Sequence, residues 1–536
     1  MEFRRGDGPD PVPRGADPGA SAEIRGSDQS LPADGEARRL PRQPGRRAMS
    51  GTTTLGALFP EAAGAASALP VAALTADSRR VGPGAVFVAV PGTRADGRLF
   101  AAQAAAAGAV AMVAEGPRPA DLPQAVAYLS VPDARRALAL AAARLHPGQP
   151  ATVVAVTGTS GKSSVADFVR QILARLGRRS ASLGTLGVVT GEGAAYGALT
   201  TPDPVTLHET LDRLARDGIT DLAMEASSHG IEQRRLDGVR LTAAAFTNLG
   251  HDHLDYHRTV EAYLAAKLRL FEDLLPEGAT AIVNADGPMA DRAVAAIRAR
   301  SLPLVTTGRA GETLRLDAVE TRGFAQRLTL AAQGRALTVD LPLVGSYQVE
   351  NALVAAALVL ATPAGRGRLE AVIGALGHLA GVPGRLERVA THRGALCVVD
   401  YAHKPEALAG VLQALRPFAT GRLVCVMGCG GDRDRAKRPM MGRIAVAGAD
   451  RVIVTDDNPR SEEPAAIRAE ILAAAPGAEE IGDRAEAIRA AVRDLAPGDV
   501  LVVAGKGHET GQIIGDRTLP FSDRDAVLSA IEETRA

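Results

Sequence analysis

Most of this chain follows one recurring pattern. Short runs of β-branched and small apolar residues end in glycine or polar clusters and lead into apolar positions at helical spacing. The sharpest instance is Val153-Val154-Ala155-Val156, followed by Thr157-Gly158-Thr159-Ser160-Gly161-Lys162-Ser163-Ser164 and then by apolar residues spaced as on a helix through Leu173. It reads as strand, tight turn and helix, with Lys162 and Ser163 at the helix start. Such a turn binds phosphate: its glycines let backbone N–H groups crowd a polyphosphate, the helix start adds positive potential, Lys162 supplies a charge and the Ser163 hydroxyl suits Mg²⁺.

The same pattern recurs on both sides. A first fold signal lies at residues 53–59, and strands bounded by turns over residues 73–97 lead into a helix at 98–108 and a strand at 109–114. Ser78, Arg79, Thr93 and Arg94 fall on strand-end loops, where ligand contacts concentrate, although a solvated loop looks much the same. Farther on, an apolar strand ends at Glu225, where a second Mg²⁺ ligand belongs in such a fold. A buried strand at 243–247 delivers a histidine-rich loop at 248–257, whose spacing fits no zinc template, so His253 is favoured as a Mg²⁺ or phosphate contact. Lys267 lies on an expected helix at 261–268, and by periodicity alone it is a solvated lysine.

From about Gly384 onward, strand signals at 397–399, 423–427, 451–454 and 500–504 each lead to a polar or glycine-rich loop and a helix, the pattern of a doubly wound sheet with ligands at the carboxyl ends of its strands. The loops carry Asp400-Tyr401-Ala402-His403, Gly428-Cys429-Gly430-Gly431-Asp432-Arg433, Asp457-Asn458-Pro459-Arg460 and Gly505-Lys506-Gly507-His508-Glu509. The glycines at 428–431 lack the third glycine of a dinucleotide turn, which argues against NAD.

Composition narrows this picture. At 536 residues the chain is too long for one core, and three domains are expected. The 61 basic and 61 acidic residues cancel, so no global charge draws the chain to nucleic acid or an anionic membrane. Three cysteines, Cys397, Cys425 and Cys429, are too few and too irregular for a disulfide framework, and reduced thiols in a cytoplasmic protein are expected. No apolar run approaches the roughly 20 residues of a membrane span. Residues 1–48, rich in Pro, Gly, Arg and Asp, are expected to be disordered and fit neither a signal nor a transit peptide. The expected fold class is α/β in three domains: a small α/β substrate domain (49–130), a central P-loop ATP-binding domain with a parallel-rich sheet (131–384), and a C-terminal Rossmann-like doubly wound domain (385–536).

The ordered set T-G-T-x-G-K-S, E-x-S-S-H-G, D-H-L-D-Y-H, G-R-x-E, D-Y-A-H, G-G-D-R-D and D-N-P-R resembles the Mur ligase family from about Ala73 to Asp523. Of these motifs, D-N-P-R, together with G-K-G-H-E, points to the branch that adds meso-2,6-diaminopimelate to UDP-N-acetylmuramoyl-L-Ala-D-Glu in peptidoglycan precursor synthesis. The resemblance implies ATP and Mg²⁺ as cofactors, with ATP held by Gly158, Thr159, Ser160, Gly161, Lys162, Ser163, Asn351, Arg385 and Asp400. It implies Ser163, Glu225, His253 and Lys267 around the metal, with Lys162, Glu225, His253 and Lys267 as the catalytic set and Lys267 carried as a carbamate. Ser78, Thr93, Arg94, Thr200, Thr201, Ser227, Gln233 and Arg235 would hold the UDP-muramoyl dipeptide. Arg433, Asp457, Asn458, Pro459, Arg460, Gly505 and Glu509 would hold diaminopimelate, with Arg460 offering a fork for its distal carboxylate unless that charge pairs at the surface with Glu462 or Glu463. Gln348 stands where the family usually has Asn and is left out of the site.

The implied reaction is amide-bond formation through an acyl phosphate, assembled by hinge closure near Gly384. No nucleic acid, membrane insertion or partner chain is called for, so a monomer is expected. Two other readings stay open: a folylpolyglutamate-synthase-like ligase and a P-loop regulatory NTPase. A GTPase would need an N-K-x-D motif, which the sequence lacks.

Overall fold

Three sheets in succession carry the loops of interest. The structure is a computed structural model that describes residues 53–534 apart from 93, 94, 196, 198 and 251. The expectations for residues 1–48 and for Thr93 and Arg94 therefore lie outside the described residues.

The first sheet is parallel, with strands Ala73–Thr75, Ala85–Ala89, Ala109–Ala114 and Ala127–Ser130 adjacent in chain order. One face is covered by Leu55, Leu58 and Phe59 and by Leu138 and Ala142 of helix Ala134–Leu145. The other face packs on Ala101 and Ala104 of the short helix Ala101–Ala106.

The second sheet has 11 strands, and Thr152–Thr157 lies near its middle, flanked by Asp221–Glu225 and Ala243–Phe246. All six residues of Thr152–Thr157 are buried, as expected for a Val/Ala-rich strand in a parallel sheet covered on both faces. Its neighbours run parallel to it, so Thr157, Glu225 and Phe246 end at the same edge. That edge is where a parallel α/β sheet collects ligands.

Helix Ser346–Ala361 buries 11 of its 16 residues, including Leu353, Ala355 and Ala356, which makes it an internal helix rather than an amphipathic surface one. It shares a core with helix Lys162–Arg175 through Val165, Phe168, Val169 and Ile172. Small alanines let the two helices approach, and the approach matters because both present residues to the phosphate-binding turn.

Strands Leu314–Arg322, Ala325–Ala332 and Arg335–Leu341 extend this sheet in antiparallel fashion. Along Ala325–Ala332 every second residue is buried, the signature of a strand with one covered face. The continuous apolar runs that mark the other strands do not signal this extension.

The third sheet has six strands in the order Glu387–His392, Ala395–Asp400, Val500–Ala504, Leu423–Met427, Arg451–Val454 and Glu479–Glu480. All neighbours are parallel except the first pair. The late strand Val500–Ala504 inserts between two earlier ones, so the chain changes winding direction there and opens a crevice at the carboxyl edge. Two cores cover its faces, one around Leu408, Leu412 and Met441 and one around Ile488, Val492 and Val527.

Leu353 is fully buried between helices, whereas the ion pair of Arg335 with Glu370 is half exposed on both sides. Leu353→Ala should lower unfolding free energy by about 2–5 kcal/mol through lost contacts and a cavity. Arg335→Ala should cost under about 1 kcal/mol. Urea denaturation of the two variants checks the contrast.

Candidate active site

The turn after strand Thr152–Thr157 is fixed by the neighbouring strand's exit. Thr247 Oγ1 donates to Ser160 O at 2.7 Å, Ser160 N donates to Asn248 Oδ1 at 3.0 Å, and Thr159 N donates to Asn248 O. Two glycines are required sterically. Gly158 sits at φ +151° with an added Cβ only 1.9 Å from Thr247 Oγ1, and Gly161 at φ +88° with an added Cβ 2.3 Å from Asn351 Oδ1. A cradle that a single methyl group would fill, opening on the start of helix Lys162–Arg175, suits a polyphosphate. Lys162 is folded back onto the turn, donating to Gly158 O and Thr159 O at 2.9 Å each, and burial lowers its pKa.

Glu225 is buried. Its carboxylate accepts from Ser163 Oγ at 2.9 Å, from Thr185 N at 2.8 Å and from Thr185 Oγ1 at 3.3 Å. Thr185 Oγ1 in turn lies 3.0 Å from Thr200 Oγ1. A buried hydroxyl and carboxylate side by side at the mouth of a phosphate cradle form a hard-oxygen set of the kind Mg²⁺ prefers.

Lys267 is not the solvated residue that periodicity suggests. Its side chain is buried, its Nζ donates to Gly158 O at 2.8 Å and it lies 4.3 Å from the centre of the Tyr263 ring. Tyr263 itself reaches the turn, accepting from Thr159 Oγ1 at 3.2 Å. The period misleads because helix Val260–Arg269 passes beneath the phosphate turn and turns Lys267 inward with Tyr263, Leu264 and Leu268. Burial, and then the charge of Lys162, hold the Lys267 pKa well below that of a free lysine.

His253 adopts a left-handed backbone conformation, φ 53°, and stays largely exposed. Its ring lies 4.9 Å from that of His229 and 6.1 Å from that of Tyr263, which itself reaches the turn. Next to it, Asp252 accepts a hydrogen bond from Lys404, which belongs to the third sheet's side of the molecule. Burial raises the Asp252 pKa, but Lys404 outweighs it and the net shift is downward.

A second cluster gathers four of the residues expected to bind the UDP substrate, bonded to one another and ending at Tyr256. Thr201 Oγ1 donates to Glu225 O and accepts from Ser227 N. Arg235 donates to Thr201 O at 2.6 Å and to Gln233 Oε1 at 2.7 Å, and Gln233 Nε2 donates to Tyr256 OH. Thr200 joins through Thr185. Ser78 stands apart, on the short turn Ser78–Arg80 of the first sheet. The first sheet comes close at Arg135, which donates to Pro91 O and whose charge bears on Arg235.

The junction to the third sheet is built on side chain to backbone bonds. Asn351, which touches the turn at Gly161, donates to Gln348 Oε1, and Gln348 donates to Arg385 O at 2.9 Å. Arg385 lies over the Tyr401 ring at 4.8 Å. Both Asp400 oxygens are engaged by amides, those of Leu386 and Ala402, and burial pushes its carboxyl up to about 6 against the pull of Arg385 and those amides. Asp400 thus braces the segment that carries Arg385.

At the carboxyl edge of the third sheet, three neighbouring loops converge. Asn458 Nδ2 donates to Glu509 Oε2, while Lys506 Nζ donates to both Asn458 Oδ1 and Glu509 Oε2. An added Cβ on Gly505 would lie 2.5 Å from Asp457 Oδ2, so that loop tolerates only glycine where it passes Asp457. Arg460, at φ 54° after the buried Pro459, donates to Gly431 O at 2.8 Å. It is not paired with Glu462, whose carboxylate is taken by the buried Arg438 and by Asp432 N. Arg433 lies exposed on the facing loop.

Comparison with known proteins agrees in every segment. The Mur ligase family catalytic domain matches residues 70–146, the Mur ligase middle domain residues 156–359 and the Mur ligase glutamate ligase domain residues 384–507. The UDP-N-acetylmuramoyl-L-alanyl-D-glutamate--2,6-diaminopimelate ligase of Bradyrhizobium diazoefficiens is 56% identical over 472 residues, covering 87% of this chain and 96% of that protein. The chain belongs to the Mur ligase family. A solved structure of a ligase with the same printed name is 33% identical, with a TM-score of 0.69 over 91% of this chain and all of that one. A folylpolyglutamate synthase from Mycobacterium tuberculosis shares the fold at 18% identity, with a TM-score of 0.54 over 67% of this chain and 88% of its own.

In this Mur ligase several site neighbours carry no motif of their own. Thr185 is one hydroxyl in a glycine-rich strand end, and Tyr263 looks like a core aromatic. Gln348, set aside at the sequence level, turns out to be buried and to link the phosphate turn to Arg385. Lys404 and Asp252 are distant in sequence, and only the fold pairs them.

Because a methyl at Gly161 collides with Asn351 and the backbone there is left-handed, Gly161→Ala should weaken ATP binding by at least about tenfold in Kd. Calorimetric titration would read this directly; unchanged affinity would mean that the turn does not hold the nucleotide.

Proposed function

We propose that this Mur ligase is a cytoplasmic, ATP-dependent enzyme that joins meso-2,6-diaminopimelate to the D-Glu carboxylate of UDP-N-acetylmuramoyl-L-Ala-D-Glu, a step in building the peptidoglycan precursor. The name of the 56% identical relative supports the assignment. The observation that carries the choice of amino acid is Arg460, a half-buried guanidinium held on Gly431 O beside Asp457, Asn458 and Glu509. Among the described residues no helix is long and apolar enough to cross a membrane.

The chemistry follows from the reactants. A carboxylate resists attack by an amine, so one of its oxygens first attacks the terminal phosphorus of ATP, ADP leaves, and an acyl phosphate results. The amine then adds to the acyl carbon, the tetrahedral intermediate expels phosphate, and the amine proton is lost to solvent. Lys162 and the amides of 158–163 neutralise charge on the transferring phosphoryl group. Ser163, Glu225, His253 and a carbamylated Lys267 are the residues that would hold Mg²⁺. The bound ion supplies positive charge against polyphosphate oxygens. Thr200, Thr201, Ser227, Gln233 and Arg235, with Ser78 and with Thr93 and Arg94, hold the UDP-muramoyl dipeptide. Asn351, Arg385 and Asp400 hold and brace the nucleotide from the junction, and closure about Gly384 excludes water.

Phosphate release from ATP, measured with and without the two acceptor substrates, tests the assignment. Release that requires both fits a ligase; release without either marks a regulatory NTPase instead.

The buried Lys267 supports carbamylation. A lowered pKa leaves the amine neutral, the form that attacks CO₂, forming an N–C bond and releasing a proton. At a fixed CO₂ concentration, carbamate formation on restoring CO₂ to the depleted enzyme should therefore level off with rising pH well below the range where a free lysine would still be gaining neutral amine. Lys267→Ala should lose turnover and regain part of it with short carboxylates; full activity without them would remove Lys267 from the site.

Arg460→Ala should erase discrimination between diaminopimelate and lysine. Lysine lacks the distal carboxylate and leaves the guanidinium desolvated and unmatched, a cost of about 2–5 kcal/mol, or roughly 30-fold to several-thousand-fold. Steady-state kinetics with both amino acids decide it, since a retained preference would move specificity elsewhere.

A further inference from the structure

Arg484 opens helix Arg484–Arg493 and is fully buried, as is its partner Asp523 at the start of helix Asp523–Glu533. The pair is bidentate: Nε donates to Asp523 Oδ1 at 2.6 Å and Nη2 to Oδ2 at 2.8 Å. Two further N–H groups of the fork go to the main chain of two different loops. Nη2 donates to Ala504 O at 3.0 Å and Nη1 to Asp456 O at 3.4 Å. Ala504 immediately precedes Gly505, and Asp456 immediately precedes Asp457. The guanidinium also lies under the crossing itself, since an added Cβ on Gly505 would be 2.5 Å from Asp457 Oδ2 and 3.8 Å from Arg484 Nη2.

We propose that Arg484 is the positioning residue of the amino-acid pocket, a buried fork that sets the separation of the loop 457–460 from the loop 505–509. This rests on the reading of those loops as the diaminopimelate site. Arg484 touches no substrate. It acts by holding two carbonyls that belong to strands not adjacent in the sheet, Arg451–Val454 and Val500–Ala504, between which Leu423–Met427 intervenes. No ladder hydrogen bond links these two strands directly; Asn458, Lys506 and Glu509 join the loops farther out, and at the strand ends beneath them a planar five-donor group anchored by a buried carboxylate adds a tie to both main chains. Lysine at this position could keep the charge opposite Asp523 but could not reach both carbonyls.

The test uses the full-length enzyme with three substrates titrated separately. Arg484→Lys is expected to raise KM for diaminopimelate by about tenfold or more and to shrink the preference over lysine, while KM for ATP and for the UDP-muramoyl dipeptide stays within about twofold. A second variant, Arg484→Met with Asp523→Leu, removes both buried charges together, so no lone charge is stranded in the core. It should fold, retain ATP binding and show the same selective KM effect. A folded variant with unchanged KM for diaminopimelate overturns the proposal. So does an equal rise in all three KM values, or loss of folding in both variants, because either makes Arg484 a general stability residue. A wild-type enzyme that fails to use diaminopimelate would instead sink the functional assignment, and that is read before any substitution is made.

Discussion

Two lysine amines donate to a single carbonyl oxygen, that of Gly158, at 2.9 and 2.8 Å, which puts the two nitrogens within about 6 Å of each other. If both were charged, their repulsion would be about 3 kcal/mol at an effective dielectric of about 20, before the cost of burying each. Two carboxylates bear on these charges, Glu225 on Lys162 and Asp252 on both lysines, but Glu225 is engaged by Ser163 and Thr185 and Asp252 by Lys404. The site can relieve this strain in two ways. Lys162 can turn toward a polyphosphate, and Lys267 can lose its proton and, as a carbamate, change sign altogether. The paired lysines thus leave the cradle with a positive charge that its reactants correct.

The rest of the fold keeps that constraint in place. Thr247 and Asn248 pin the turn from one neighbouring strand, and Glu225 stands at the end of the other. Helix Ser346–Ala361 brings Asn351 against Gly161 from the opposite face, and Gln348, one turn earlier on the same helix, takes hold of the backbone at Arg385. A movement of the junction therefore reaches the phosphate turn through two side-chain amides. This is a short mechanical path, built from one close packing contact at Gly161 and two hydrogen bonds whose donors cannot cheaply be left unpaired.

Much of this was legible in the sequence because a parallel α/β fold writes its sites at strand ends. The runs ending at Thr157, Glu225, Ala504 and the loops at 428–433 and 457–460 all announce themselves by an apolar stretch closing on polar residues. What the pattern could not give is pairing across the chain. Lys267 looks solvated until helix Val260–Arg269 is seen passing under the turn. Thr185, Tyr263 and Gln348 are ordinary residues singled out only by what lies opposite them. The antiparallel strands over 314–341 were hidden because one face is solvated, which breaks up the apolar runs by which buried strands are read.

The same limit applies to the ion pair of Asp252 with Lys404, and its position makes it more than a surface contact. Asp252 precedes His253 at the rim of the phosphate turn, and Lys404 stands just before helix Pro405–Leu415, in the loop that follows Asp400. The lysine side chain is about half exposed and the carboxylate mostly covered, so the pair is screened too much to act as a strong tie and too little to be neutral. Such a tie links the third sheet's loops to the rim of the phosphate turn without fixing them, and a phosphate group, carrying more negative charge than one carboxylate, can compete for the same lysine.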